Sequence, residues 1–132
     1  MASKGLILVV DDHAWLRELL STTLTEEGYH VATAADGAEA LAAAERLRPD
    51  LILLDLSMPV MNGLAFARAY HERPGPHASI VVVTAGRDVA RIAGEFTNDV
   101  ITKPFELADL LRVVARHLSV VRAGEPTATR AG

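Results

Sequence analysis

The sequence predicts one α/β domain: a parallel sheet with helices on both faces. Three observations carry that prediction. Short apolar runs of strand length recur along the 132 residues. Segments with helical spacing separate them, so strands and helices alternate. The run "LILLD" (51–55) is continuously apolar up to its last residue, as in a strand covered on both faces.

The elements follow in order. "LILVV" (6–10) is the first strand. A helix follows in "AWLRELLSTTLTEEG", where Leu16, Leu19, Leu20, Thr23 and Leu24 share a face and Gly28 is a natural stop. "HVATAA" (30–35) alternates weakly and reads as an outer strand. Asp36 caps an Ala-rich helix that ends before Pro49. "LILLD" is the third strand, and "SMPVMNG" is a loop punctuated by Pro and Asn-Gly. "LAFARAYHER" is a third helix, stopped by "PGP". "SIVVVT" (79–84) is the fourth strand, "RDVARIAGEF" a short helix and "DVIT" (99–102) a fifth strand. Leu107, Leu110, Leu111, Val114, Leu118 and Val121 stripe a long last helix. We divide the chain into a domain over 1–121 and a flexible tail over 122–132, "RAGEPTATRAG".

Composition narrows the function. Half the chain is hydrophobic, enough for a core, and the net charge is −4 with no basic stretch. This argues against nucleic-acid binding by the chain alone. There is no cysteine, so thiolate chemistry and disulfides are excluded. The five histidines (13, 30, 71, 77, 117) show no ligand-like spacing and read as surface or helix-face residues. No segment has the length of a signal peptide or a membrane span. The expectation is a soluble cytoplasmic domain. Of thirteen basic residues eleven are Arg, so Lys103 within "VITKPF" stands out.

In an open α/β sheet, function gathers outside the carboxyl ends of the strands. Strand one ends in Asp11 and Asp12, strand three in Asp55, strand four in Thr84, strand five in Lys103. Carboxylates held together raise one another's proton affinity. A hard divalent cation such as Mg²⁺ relieves this through oxygen ligands. Lys103 adds a positive charge and Thr84 a hydroxyl donor. The set suits a phosphoryl group, with Asp55 as a nucleophile that forms an aspartyl phosphate. Taken singly, the same residues have plainer readings. Asp12 would be a helix cap, Thr84 a β-former and Lys103 a solvated loop residue. Met58 and Met61 read as packing residues. Arg112, Arg116 and Arg122 read as the solvated face of the last helix. Trp15 is placed either near the site or in a plain surface role.

The acidic pair, "DLSMPVMNG", Thr84 and "KPF", in this order at strand ends, resemble the receiver domain of two-component response regulators. The resemblance covers about Leu6 to Val121. It implies a flavodoxin-like, doubly wound five-stranded sheet of order 2-1-3-4-5. It implies Asp55 as acceptor of a phosphoryl group from a phosphohistidine on a sensor kinase or phosphotransfer protein. Asp12, Asp55 and the main-chain carbonyl of Ser57 would bind Mg²⁺, with Asp11 acting through water. Thr84 and Lys103 would contact the phosphoryl group, and the Lys103–Pro104 bond would be cis. The domain would catalyse only its own phosphorylation and dephosphorylation. It would pass the signal to a downstream protein partner or along a phosphorelay. The face formed by helix four, strand five and helix five would change on phosphorylation and offers a possible homodimer surface.

This sequence departs from the family pattern after strand four. Val100 stands where an aromatic residue is usual, and "FTNDV" replaces a Gly-Ala pair. Only 18 residues separate Thr84 from Lys103, so helix four should be short or irregular and the output face atypical. Two other functions compete. One is a binding module of the same fold that is never phosphorylated. The other is an aspartyl-phosphate phosphatase like the haloacid dehalogenases, which would require an acid where Ser57 stands.

Overall fold

The computed structural model describes residues 4–58, 60–86 and 98–124. Five strands form one parallel sheet: β1 (Leu6–Val10), β2 (His30–Ala34), β3 (Leu51–Leu54), β4 (Ser79–Ala85) and β5 (Asp99–Lys103). Their order is β2-β1-β3-β4-β5, the flavodoxin-like doubly wound arrangement. Four helices are described: α1 (Ala14–Glu26), α2 (Gly37–Leu47), α3 (Gly63–Glu72) and α4 (Leu107–Gly124). The fourth helix expected from "RDVARIAGEF" falls on 87–96, outside the described residues. The last helix runs to Gly124, beyond Val121 where the sequence places the domain's end.

Period-two alternation sorts the strands between two cores. Leu8, Val10, Ile52, Leu54, Ile80 and Val82 pack with Ala40, Ala43 and Ala44 of α2 and Phe66 and Tyr70 of α3. Ile7, Val9, Leu51, Leu53, Val81 and Val83 pack with Leu16, Leu20 and Leu24 of α1 and Leu110, Val114 and Leu118 of α4. Each fully buried Leu or Ile contributes about 1.5–3 kcal/mol of transfer free energy. The alanine face of α2 lets that helix lie close to the sheet, and Met58 and Met61 fill space at its margin.

Local signals set the ends. Gly28 takes φ 101° after α1, a left-handed turn that only glycine adopts freely. Asp36 accepts from the Glu39 N–H and caps α2. Asn62 accepts from the Ala65 N–H and caps α3. The Tyr70 hydroxyl accepts from the Ala78 N–H at 2.7 Å, closing the "PGP" loop onto β4. Asn98, in the unusual "FTNDV" stretch, exchanges two hydrogen bonds with Ile80, through its side-chain oxygen and its own N–H. It thereby begins the pairing of β5 with β4. Val100 is half-buried against the α2–α3 core.

Candidate functional site

Because all five strands are parallel, their carboxyl ends share one edge. β3 is wholly buried and delivers Asp55 there, itself only 4 % exposed. The loop behind Asp55 is clamped by a glycine. Gly63 starts α3, donates its N–H to the Leu56 carbonyl, and sits so close that a Cβ would lie 2.3 Å from the Asp55 carbonyl oxygen. A larger residue would push the helix off the strand end. The next turn is strained at Val60, which holds φ 68° although β-branched and is 83 % exposed.

The β1 end brings Asp11 and Asp12. Asp11 is buried and both of its oxygens are engaged. Oδ2 accepts from Lys103 Nζ at 2.9 Å, and Oδ1 accepts from the His13 backbone N–H at 2.9 Å. The His13 ring nitrogen Nδ1 lies 3.0 Å from the same Oδ1. Arg17 donates to the Asp11 carbonyl oxygen at 2.8 Å and ties the strand end to α1. Asp12 is exposed and is not the cap of α1; His13 holds that position, without a side-chain cap hydrogen bond.

Lys103 ends β5 and precedes a cis bond to Pro104. It is half-buried rather than solvated, and its ammonium also lies 3.7 Å from Asp55 Oδ1. One cation thus serves two buried carboxylates. Burial pushes the Asp55 carboxyl above its ordinary pKa, and the Asp11 and Asp12 charges push the same way. Lys103 and the Leu56 backbone N–H oppose the shift and do not cancel it. Thr84 is fully buried on β4, and its hydroxyl oxygen has no hydrogen-bond partner among the described residues. A buried unpaired hydroxyl costs about 1–3 kcal/mol. Ser57 is exposed, just beyond Asp55.

The sequence missed the setting of the histidines. His13 belongs to the acid cluster, with Nδ1 also 3.3 Å from Asp12 Oδ1. Its adjacency to the acidic pair in the sequence was the available signal. His71 and His77 pack together beside Tyr70, and half-buried His117 lies 3.3 Å from Asp99. Arg112 and Arg116 are exposed as expected, yet each pairs with an acid, Asp109 and Asp99 respectively. Trp15 is exposed with its ring 6.4 Å from that of His13.

Residues 7–115 match the family model for the response regulator receiver domain. The chain belongs to that family. This receiver domain is 43% identical over 114 residues to the DNA-binding response regulator MtrA of Mycobacterium tuberculosis, covering 83% of this chain and 49% of MtrA. The chain therefore spans about half the length of the curated relatives it matches. Among solved structures it resembles the response regulator TrrA of Thermotoga maritima in complex with Mg²⁺ and BeF. That likeness has a TM-score of 0.77 at 33% identity, over 85% of this chain and 97% of that one. It also resembles the receiver domain of a histidine kinase from Syntrophus aciditrophicus, with TM-score 0.82 at 36% identity, covering 89% and 92%. No helix among the described residues of the receiver domain is long and apolar enough to cross a membrane.

Proposed function

We propose that Asp55 is the phosphoacceptor of this receiver domain and that Asp11, Asp12, Thr84 and Lys103 complete its site. The carrying observation is the placement of Lys103, within 4 Å of both buried carboxylates at the strand ends. In the proposed reaction an Asp55 oxygen attacks the phosphorus of a phosphohistidine. The P–N bond breaks, its electron pair stays on the imidazole, and a P–O bond forms. The Lys103 ammonium neutralises phosphoryl charge, and the Thr84 hydroxyl, without a partner among the described residues, gains an acceptor oxygen. Attack of water on the acyl phosphate returns the domain to its starting state. No substrate other than its own aspartate is turned over in this reading.

The donor set fits a divalent cation. Carboxylates gathered around one lysine leave Asp55 under-compensated, and hard oxygen donors suit Mg²⁺. Asp12, Asp55 and the Ser57 carbonyl would hold the ion. Asp11, whose oxygens are already engaged by His13 and Lys103, would act through water. Bound there, the ion supplies positive charge against the phosphoryl oxygens.

The donor in this reading is a sensor histidine kinase or a phosphotransfer protein. The response passes to a protein partner or along a relay from the cytoplasm. The exposed face of β5 and α4 offers a surface for that partner or for a second copy. With charge −4, this chain is not proposed to touch nucleic acid itself. Incubation with Mg²⁺ and acetyl phosphate, followed by intact mass measurement, tests the reading. One added phosphoryl group, absent in Asp55→Asn, is expected. No adduct with donor and metal in excess would leave a binding module in its place.

A further inference from the structure

Asp12 is held in place through its backbone. Its carboxylate is exposed, 3.3 Å from His13 Nδ1. Both peptide groups that flank Asp12 are pinned. The group after it donates the His13 N–H to Asp11 Oδ1 at 2.9 Å. The group before it accepts from Arg17 Nη1 through the Asp11 carbonyl oxygen at 2.8 Å. The chain is also fixed on either side. The Asp11 N–H donates to the Ala34 carbonyl in the sheet, and the His13 carbonyl accepts from Leu16 and Arg17 as α1 begins. Arg17 is half-buried in the first turn of α1, so its guanidinium reaches back across the junction of strand and helix.

We infer that Arg17 is a positioning residue for cation binding. By gripping the Asp11 carbonyl it fixes the peptide plane ahead of Asp12, and so sets where the Asp12 carboxylate stands before any ion arrives. A hydrogen bond from a charged donor is about twice as strong as a neutral one, and the planar guanidinium holds a direction that a rotating ammonium does not. Mg²⁺ demands near-ideal octahedral geometry, so it is sensitive to a displaced ligand. The inference rests on the proposal that Asp12 and Asp55 hold Mg²⁺, and adds what holds Asp12. The sign of the effect separates positioning from charge. Arg17 is a cation beside a cation site. If its charge alone mattered, removing it would lessen repulsion and tighten Mg²⁺ binding. If it positions Asp12, removing it weakens binding although every ligand is still present.

The test is calorimetric titration of the full chain with Mg²⁺ in wild type, Arg17→Gln and Arg17→Met. Methionine keeps the aliphatic stem, so a loss shared by both variants is not a loss of packing. Both should bind Mg²⁺ about tenfold more weakly, the loss usual when the partner of a metal ligand is removed. Phosphorylation of Asp55 by acetyl phosphate should slow at low Mg²⁺ and recover when Mg²⁺ is saturating, because Asp55, Thr84 and Lys103 are untouched. Unchanged or tighter Mg²⁺ binding in folded Arg17→Met overturns the inference and leaves the magnesium reading standing. A phosphorylation defect that excess Mg²⁺ does not repair also overturns it, since Arg17 would then act elsewhere than on the ion. Failure of wild type to bind Mg²⁺ would overturn the magnesium reading and this inference with it.

Discussion

Replacing Thr84 by valine should make the protein more stable. The Thr84 side chain is fully buried and its hydroxyl oxygen has no partner among the described residues. Such a group carries a desolvation penalty of about 1–3 kcal/mol, and an apolar replacement of the same shape removes it. Valine suits a strand, and its extra methyl adds up to about 0.8 kcal/mol of burial. The expected gain is about 2 kcal/mol, read from urea midpoints in metal-free buffer. For a domain of this size it corresponds to roughly 8 °C in Tm. Beryllium fluoride with Mg²⁺ should narrow the difference. The proposed site gives the wild-type hydroxyl an acceptor there, worth about 0.5–1.5 kcal/mol, which valine cannot use. A destabilised Thr84→Val would refute the reasoning, since it would mean that the hydroxyl is already satisfied.

Asp55→Asn should also stabilise the chain at neutral pH, for an electrostatic reason. The folded carboxyl has a raised pKa, so above the ordinary carboxylate value of about 3.9 the folded state holds more protons than the unfolded one. Stability is then lost as pH rises from about 4 through the folded pKa. The gap between Asp55→Asn and wild type should open over that window in chelator-treated buffer, and a pH-independent gap would contradict it. Gly63→Ala should cost about 2–3 kcal/mol in urea unfolding, because the new Cβ meets the Asp55 carbonyl oxygen and the Leu56 Cα. A cost below about 0.5 kcal/mol would show that α3 can slide away from the strand end. Val60→Gly should gain about 0.5–1 kcal/mol, since left-handed strain of about 1–2 kcal/mol outweighs the added unfolded-state entropy. A loss in the same assay would place φ strain elsewhere.

What was legible in the sequence divides along physical lines. β3 and β4 were plain because strands buried on both faces run apolar through their middles, as Leu51–Leu54 and Ile80–Val83 do. Asp36 and Gly28 were plain because caps and left-handed turns need particular residues. That the strand-end acids, Thr84 and Lys103 share one edge was legible because parallel pairing carries every strand end there. The partners those residues choose were not legible. Nothing in "DDH" says that the ring turns back onto Asp11, because that depends on the backbone angles of one residue. Nor does "FTNDV" reveal that Asn98 substitutes a side-chain oxygen for a strand carbonyl. The plainer role of Asp12, a cap, is taken by His13 instead, because α1 starts one residue later.

The two costs at this site point the same way. Asp55 is buried with more negative charge around it than Lys103 offsets, and Thr84 is buried with a hydroxyl that has no partner among the described residues. Either defect alone has a simple remedy within the twenty amino acids, Asn at 55 or Val at 84. Neither remedy is present, although β3 is wholly buried and β4 is buried from Ile80 to Thr84. A ligand that brings cationic charge to Asp55 and an acceptor oxygen to Thr84 relieves both at once, and a cation with a phosphoryl group does so. The domain is therefore expected to stabilise on loading by more than either contact alone provides. A double-mutant cycle with Asp55→Asn and Thr84→Val, measured without ligand, checks the premise. Independent defects should add to within about 0.5 kcal/mol. A large coupling would mean that Thr84 already answers to Asp55 in the unloaded state.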